Sequence, residues 1–165
     1  MSTPADGRNG PHDDGDDDTH DEYPARSARR VLIVEDSPAM RELLRMAVKR
    51  LPEVVVEQAE DGVAAMRALV NARINGQPFH LVLLDLNMPV MDGMAVLERM
   101  RQDRHLGDTQ VAIVTTEESA QTEAEARRLG ARFFVRKPVN RRTIEKLLAD
   151  VFGDPPVTTT RAPRS

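Results

Sequence analysis

Five short, largely apolar stretches punctuate the chain: Val31–Val34, Val54–Val56, Leu81–Leu84, Gln110–Val114 and Arg132–Arg136. Unbroken apolar runs of this length, bounded by turn residues, read as strands of a parallel sheet buried on both faces. Between them the period changes. Ser37-Pro38 supplies a helix cap with proline at the first helical position, and Met40, Leu43, Leu44, Ala47, Val48 and Leu51 recur at helical spacing until Pro52. A second helix follows the Asp61-Gly62 turn through Val63, Met66, Leu69 and Val70. A third carries Val96, Leu97 and Met100 and ends near Asp103. The fourth, Ser119 to Leu129, offers only Ala124, Ala126 and Leu129 to a core, so a loosely held element is expected, with Gly130 as its C-terminal cap. Asn140 caps a last helix carrying Ile144, Leu147, Leu148 and Val151, which Gly153, Pro155 and Pro156 end.

Strict alternation of strand and helix predicts an α/β fold, a five-stranded parallel sheet covered on both faces. A doubly wound order 2-1-3-4-5, the arrangement known from other folds of this class, is the natural solution. Such a sheet binds ligands just beyond the carboxyl ends of its strands. The strand ends therefore matter most. Strand one ends in Glu35-Asp36, strand three in Asp85, strand four in Thr115 and strand five in Lys137. Each has a bland explanation alone: Asp85 as a turn carboxylate, Glu35-Asp36 as a helix cap, Lys137 as a surface lysine with its stem buried. On one edge they become three carboxylates, a hydroxyl and an ammonium sharing a crevice. Crowded acids resist ionisation, and a divalent cation relieves this. An all-oxygen set suits Mg²⁺, which takes one or two carboxylates, waters and a phosphate oxygen. A carboxylate can attack phosphorus to give an aspartyl phosphate, with Lys137 and Thr115 placed to meet the phosphoryl oxygens.

Composition changes the picture at the ends. The 165 residues carry a net charge of −4, but residues 1–28 alone hold eight acids against two bases, including Asp13-Asp14-Gly15-Asp16-Asp17-Asp18. This stretch reads as a disordered acidic arm, and 153–165 as an unstructured tail, leaving 29–152 as the folded, nearly neutral domain. His12 and His20 flank the acidic block, but its order of Asp and Gly does not match a calcium loop. Cysteine is absent, which excludes disulfides, thiolate metal sites and cysteine catalysis. No apolar run approaches membrane-spanning length, and the N-terminus has no signal-peptide core. A cytoplasmic protein without nucleic-acid or membrane contacts is expected, since no clustered basic face is evident. His80 and His105 have no neighbours suggesting catalysis, and the eight methionines read as core or turn residues.

Four blocks carry a resemblance. Val-Leu-Ile-Val-Glu-Asp-Ser-Pro, Leu-Leu-Asp-Leu-Asn-Met-Pro-Val-Met-Asp-Gly, Val-Thr-Thr and Arg-Lys-Pro, in that order on successive strand ends, resemble the signatures of response-regulator receiver domains of the chemotaxis-regulator type over about residues 29–152. The resemblance implies a flavodoxin-like fold and a role for each residue. Asp85 would accept the phosphoryl group. Asp36 would bind Mg²⁺ directly and Glu35 through water, while Asn87 would offer its backbone carbonyl. Thr115 and Lys137 would contact the phosphoryl group, Lys137-Pro138 would be a cis peptide, and Phe134 would be the aromatic that turns inward on activation. Side chains at Asn87 and Glu117 would tune attack by water on the acyl phosphate. Glu at position 35, where Asp is common in the family, should alter only metal geometry.

The implied activity is that of a phosphoacceptor rather than an enzyme. A histidine kinase or histidine phosphotransfer protein would supply the phosphoryl group, and a target protein would read the face built by the fourth helix, fifth strand and last helix. A relay intermediate returning phosphate to a phosphotransfer protein is an alternative, as is a scaffold that needs no phosphorylation. An aspartate-nucleophile phosphatase would want a second acid two residues after the first, where this chain has Asn87. A flavin module would want a glycine-rich loop after strand one, where it has Ser37-Pro38. The stretch beyond Phe152 is too short for a DNA-binding unit, so an output through protein contact is expected.

Overall fold

The computed structural model describes residues 28–153; the expected acidic arm and C-terminal tail lie outside the described residues. Five parallel strands, β1 (Arg29–Val34), β2 (Val54–Ala59), β3 (Leu81–Leu84), β4 (Gln110–Thr115) and β5 (Phe133–Arg136), alternate with helices α1 (Pro38–Val48), α2 (Gly62–Ile74), α3 (Gly93–Gln102), α4 (Ala120–Arg128) and α5 (Arg141–Phe152). The sheet order is β2-β1-β3-β4-β5, as expected.

Side chains alternate across each strand and sort into two apolar layers. Val31, Ile33, Leu81, Leu83, Ala112 and Val114 face α1 and α5. Leu32, Val34, Val82, Leu84, Val111 and Ile113 face α2, α3 and α4. All of these are essentially inaccessible to water. Burial on both faces is why the central strands β1, β3 and β4 are largely continuous apolar runs, while the edge strands β2 and β5 are only partly buried. Register is fixed by pairs such as Val34 with Leu84 and Leu84 with Ile113, which bring the strand ends to one edge.

The caps follow the chain's local chemistry. Ser37, Asp61, Asp92, Ser119 and Asn140 each accept a backbone N–H from the first turn of their helix. Gly130 and Gly153 close α4 and α5 at positive φ, where an L side chain would be strained. Among the described residues, no helix is long and apolar enough to cross a membrane.

Several expectations need correction. Helix α1 ends at Val48, capped by Lys49, so Pro52 follows the stop rather than making it. Strand β2 runs on to Ala59, beyond its apolar start, because it pairs with all of β1. In α2 the buried positions are Gly62, Ala65, Leu69 and Ala72, while Val63 is exposed. At the start of this face the approach is close: a Cβ on Gly62 would sit 2.4 Å from the Met91 carbonyl oxygen, so no larger residue fits there. In α4 only Ala126 is buried and Ala124 is exposed. This helix is dressed instead with charge pairs, Arg127–Glu123 and Arg128–Glu125, and is tied to β5 by Arg136–Glu123. Exposed pairs of this kind hold an element only weakly.

Candidate functional site

Three backbone hydrogen bonds lock the carboxyl ends of the strands together. The N–H of Glu35 donates to Ala59 O at 3.0 Å, that of Asp85 to Val34 O at 3.0 Å, and that of Lys137 to Thr115 O at 2.8 Å. The first two straddle the switch point between β1 and its neighbours, where the chain leaves in opposite directions and a crevice opens. Into it project Glu35, Asp85 and Thr115, which are the buried polar residues of the domain among those described.

Lys137 joins them from β5. Its Nζ donates to Glu35 Oε2 at 2.7 Å and to Asp85 Oδ2 at 3.1 Å. The lysine is therefore not a surface residue; its side chain is only 13% exposed. The peptide bond to Pro138 is cis. The other oxygen of Asp85 accepts the Asn87 N–H at 3.1 Å, so both are already hydrogen-bonded. Glu35 Oε1 accepts the N–H of Ser37 at 3.1 Å.

These contacts set the protonation balance. Burial pushes the Glu35 carboxyl above its ordinary range, and the neighbouring Asp85 adds to the rise. The Lys137 and Ser37 hydrogen bonds pull it back without cancelling the effect. For Lys137, burial works downward, but its bonds to Glu35 and Asp85 prevail and hold the ammonium above its usual range.

Asp36 is the contrasting member. It is exposed, and its carboxylate makes no hydrogen bond among the described residues. Yet Glu35, Asp36 and Asp85 each place an oxygen within 4.8 Å of the others. Such a cluster suits a small hard cation: all-oxygen donors, two of them buried and one open to solvent where waters can complete an octahedron.

The remaining candidates spread outward. Thr115 is fully buried, and its Oγ1 accepts the Glu117 N–H at 3.2 Å, pinning the start of the loop before α4. The Asn87 side chain lies 3.5 Å from both Thr115 Oγ1 and Thr116 Oγ1, at the limit of hydrogen bonding. The Glu117 side chain turns away to accept the Ser119 N–H at 2.9 Å, near the start of α4. Phe134 is half-buried. It packs against the α2–α3–α4 layer, with the guanidinium groups of Arg127 and Arg136 about 6 Å from its ring.

Two contributors escaped the sequence reading. Arg41, on the first turn of α1, donates to the carbonyl oxygens of Glu35 at 2.8 Å and Asp36 at 3.1 Å, bracing the acid-bearing loop. Its signal was a cation one helical turn beyond the acid pair. Gly93 is the second: a Cβ there would lie 2.3 Å from Asp85 O, so glycine is what lets α3 start directly beneath the acid.

Comparison with known proteins agrees with this geometry. The family described as "Response regulator receiver domain" matches residues 31–149. The chain is 28% identical over 124 residues to the chemotaxis protein CheY homolog of Campylobacter jejuni, covering 75% of this chain and 92% of that protein. Its structure is similar to that of the chemotaxis response regulator CheY4 of Vibrio cholerae, with 31% identity, a TM-score of 0.67, and 75% and 98% of the two chains covered. It also resembles a chain in the CheX-CheY-BeF3-Mg²⁺ complex from Borrelia burgdorferi, with 27% identity, a TM-score of 0.66, and 75% and 89% covered.

Proposed function

Because the chain belongs to the response regulator receiver family of two-component signalling, we propose that it accepts a phosphoryl group on Asp85 from a phosphohistidine donor and changes its affinity for a protein target as a result. The observation that carries this reading is the position of Lys137 Nζ, bonded to both Asp85 and Glu35 while the carboxylate of a third acid, Asp36, stands beside them with no partner among the described residues.

In the proposed reaction a carboxylate oxygen of Asp85 attacks phosphorus as the phosphorus–nitrogen bond of the phosphohistidine breaks. The imidazole leaves and takes its proton from solvent. Glu35, Asp36 and Asp85 would hold Mg²⁺, which when bound supplies positive charge to the transferring phosphoryl oxygens. Lys137, bonded to both Glu35 and Asp85, would add a second positive charge beside the phosphoryl group. Thr115 has its hydroxyl at the next strand end and would give up the Glu117 N–H to meet a phosphoryl oxygen. That exchange would free the loop before α4, an element with one buried side chain and therefore little to resist movement. Phe134 and the α4–β5–α5 face would register the change, biasing a two-state equilibrium that a target protein reads.

Intact-mass spectrometry after treatment with acetyl phosphate and Mg²⁺ tests the assignment. One phosphoryl group per wild-type chain, lost on mild base treatment, is expected, and none on Asp85→Asn. Stoichiometric uptake by Asp85→Asn would overturn it.

A further inference from the structure

A second feature lies at the opposite edge of the sheet, away from the acids. Between the end of α3 and the end of α4 is a groove of about 260 Å³. Leu97, Met100, Leu106 and Leu129 form its apolar floor, and Arg101 and Arg104 stand on its walls. Both arginines are exposed, and neither makes an ion pair or hydrogen bond among the described residues. Arg101 reaches across to the cap of α4, its Nη1 lying 3.7 Å from where a Cβ on Gly130 would be. The acid lining the groove, Asp103, is occupied in accepting the His105 N–H at 2.9 Å. An apolar slot that carries two arginines against one carboxylate, with neither arginine ion-paired among the described residues, fits an acidic segment that carries a ring.

The chain contains one acidic segment with a tyrosine. Its single tyrosine, Tyr23, follows Asp21-Glu22 in the acidic stretch preceding β1. Length permits the contact. Arg29 lies six positions beyond Tyr23, a reach of about 20 Å when extended. The groove opens beside the start of β4, two strands from β1 and therefore about 10 Å across the sheet. The edge between is continuous: the His80 N–H donates to Arg30 O at 2.9 Å, and the Gln110 N–H to His80 O at 3.0 Å.

We propose that Asp21-Glu22-Tyr23 docks in this groove of its own chain, the ring on the apolar floor and the two carboxylates against Arg101 and Arg104. The acidic stretch then acts as a tether across the ends of α3 and α4.

The protein offers its own probe, because it has no tryptophan and Tyr23 is its only tyrosine. Quenching of tyrosine fluorescence by acrylamide, a neutral quencher, should be several-fold weaker in the full chain at low ionic strength than in Arg101→Gln/Arg104→Gln or Asp21→Asn/Glu22→Gln. Added salt should release the protection. Both double variants change exposed or terminal positions, and circular dichroism would confirm that they fold. Equal quenching in all three proteins would overturn the proposal, as would protection that survives in both variants. Protection lost on dilution at constant ionic strength would mean a second copy supplies the segment, and would overturn it too.

Discussion

Lys137 sits closer to Glu35 than to Asp85, at 2.7 Å against 3.1 Å, although Asp85 is the acid at the centre of the crevice. The lysine is shared, and its stronger bond is with the acid on β1. It is the counter-charge for two buried carboxylates at once.

Replacing Lys137 by Met should therefore destabilise the protein with no divalent cation present. Removing one partner of a fully buried pair costs about 3–5 kcal/mol, and the partial exposure of Lys137 reduces this to about 2 kcal/mol. Mg²⁺ should recover more stability in Lys137→Met than in wild type, because it neutralises the same two carboxylates. Urea denaturation with and without Mg²⁺ measures both effects.

Asp36→Asn should separate metal binding from folding. Asp36 is exposed and supports no other residue through its carboxylate, so the fold should be unaffected, and relief of repulsion should leave the metal-free protein slightly more stable. Affinity for Mg²⁺ should fall by roughly tenfold or more, since one of a few charged ligands is lost. Isothermal titration calorimetry reads the affinity and thermal denaturation reads the stability.

Thr115→Ala removes the acceptor of the Glu117 N–H. A cost of about 1 kcal/mol is expected from the lost hydrogen bond, with faster amide exchange confined to residues 116–119. Exchange measured by mass spectrometry checks this, with α4 itself expected to keep its wild-type protection.

Gly93→Ala should be more damaging than its size suggests. The added Cβ meets backbone atoms of Asp85 and Leu86, which cannot rotate away as a side chain would. A loss of about 3 kcal/mol, at the upper end for overpacking, is expected in chemical denaturation.

Val90 gives a prediction of opposite sign. It is 85% exposed and held at φ 68°, a conformation β-branched residues resist. Val90→Asn should stabilise by about 0.5–1 kcal/mol, since asparagine tolerates this region and little packing is lost. A rise in thermal midpoint checks it.

The strands and the four acids and bases of the crevice could be read from the sequence because each rests on a local rule, while the strand order came from the known arrangement of such folds. A buried parallel strand must be apolar throughout, and its end must carry the first polar residue. Helix α2 defeated the same reasoning. Val63 looked like a core residue by spacing, but the face that packs inward runs through Gly62, Ala65, Leu69 and Ala72, and alanine and glycine carry little hydrophobic signal in a sequence. Arg41 was missed for a related reason. It acts on backbone carbonyls, which leave no mark in a sequence, and its position on α1 looks like any exposed arginine. The sharing of Lys137 between Glu35 and Asp85 is likewise a distance, and no spacing of letters contains it.

The route by which Lys137 reaches the crevice also has a consequence for synthesis. A ribosome releases the acid pair on β1 first and Asp85 on β3 later, but the lysine arrives on the final strand, 102 residues after Glu35. Once Asp85 is made, a further 52 residues must follow before the lysine that pairs with it. A fragment ending before β5 would hold the acids with only metal or solvent to separate them, so a completed ion pair certifies that the whole sheet has closed.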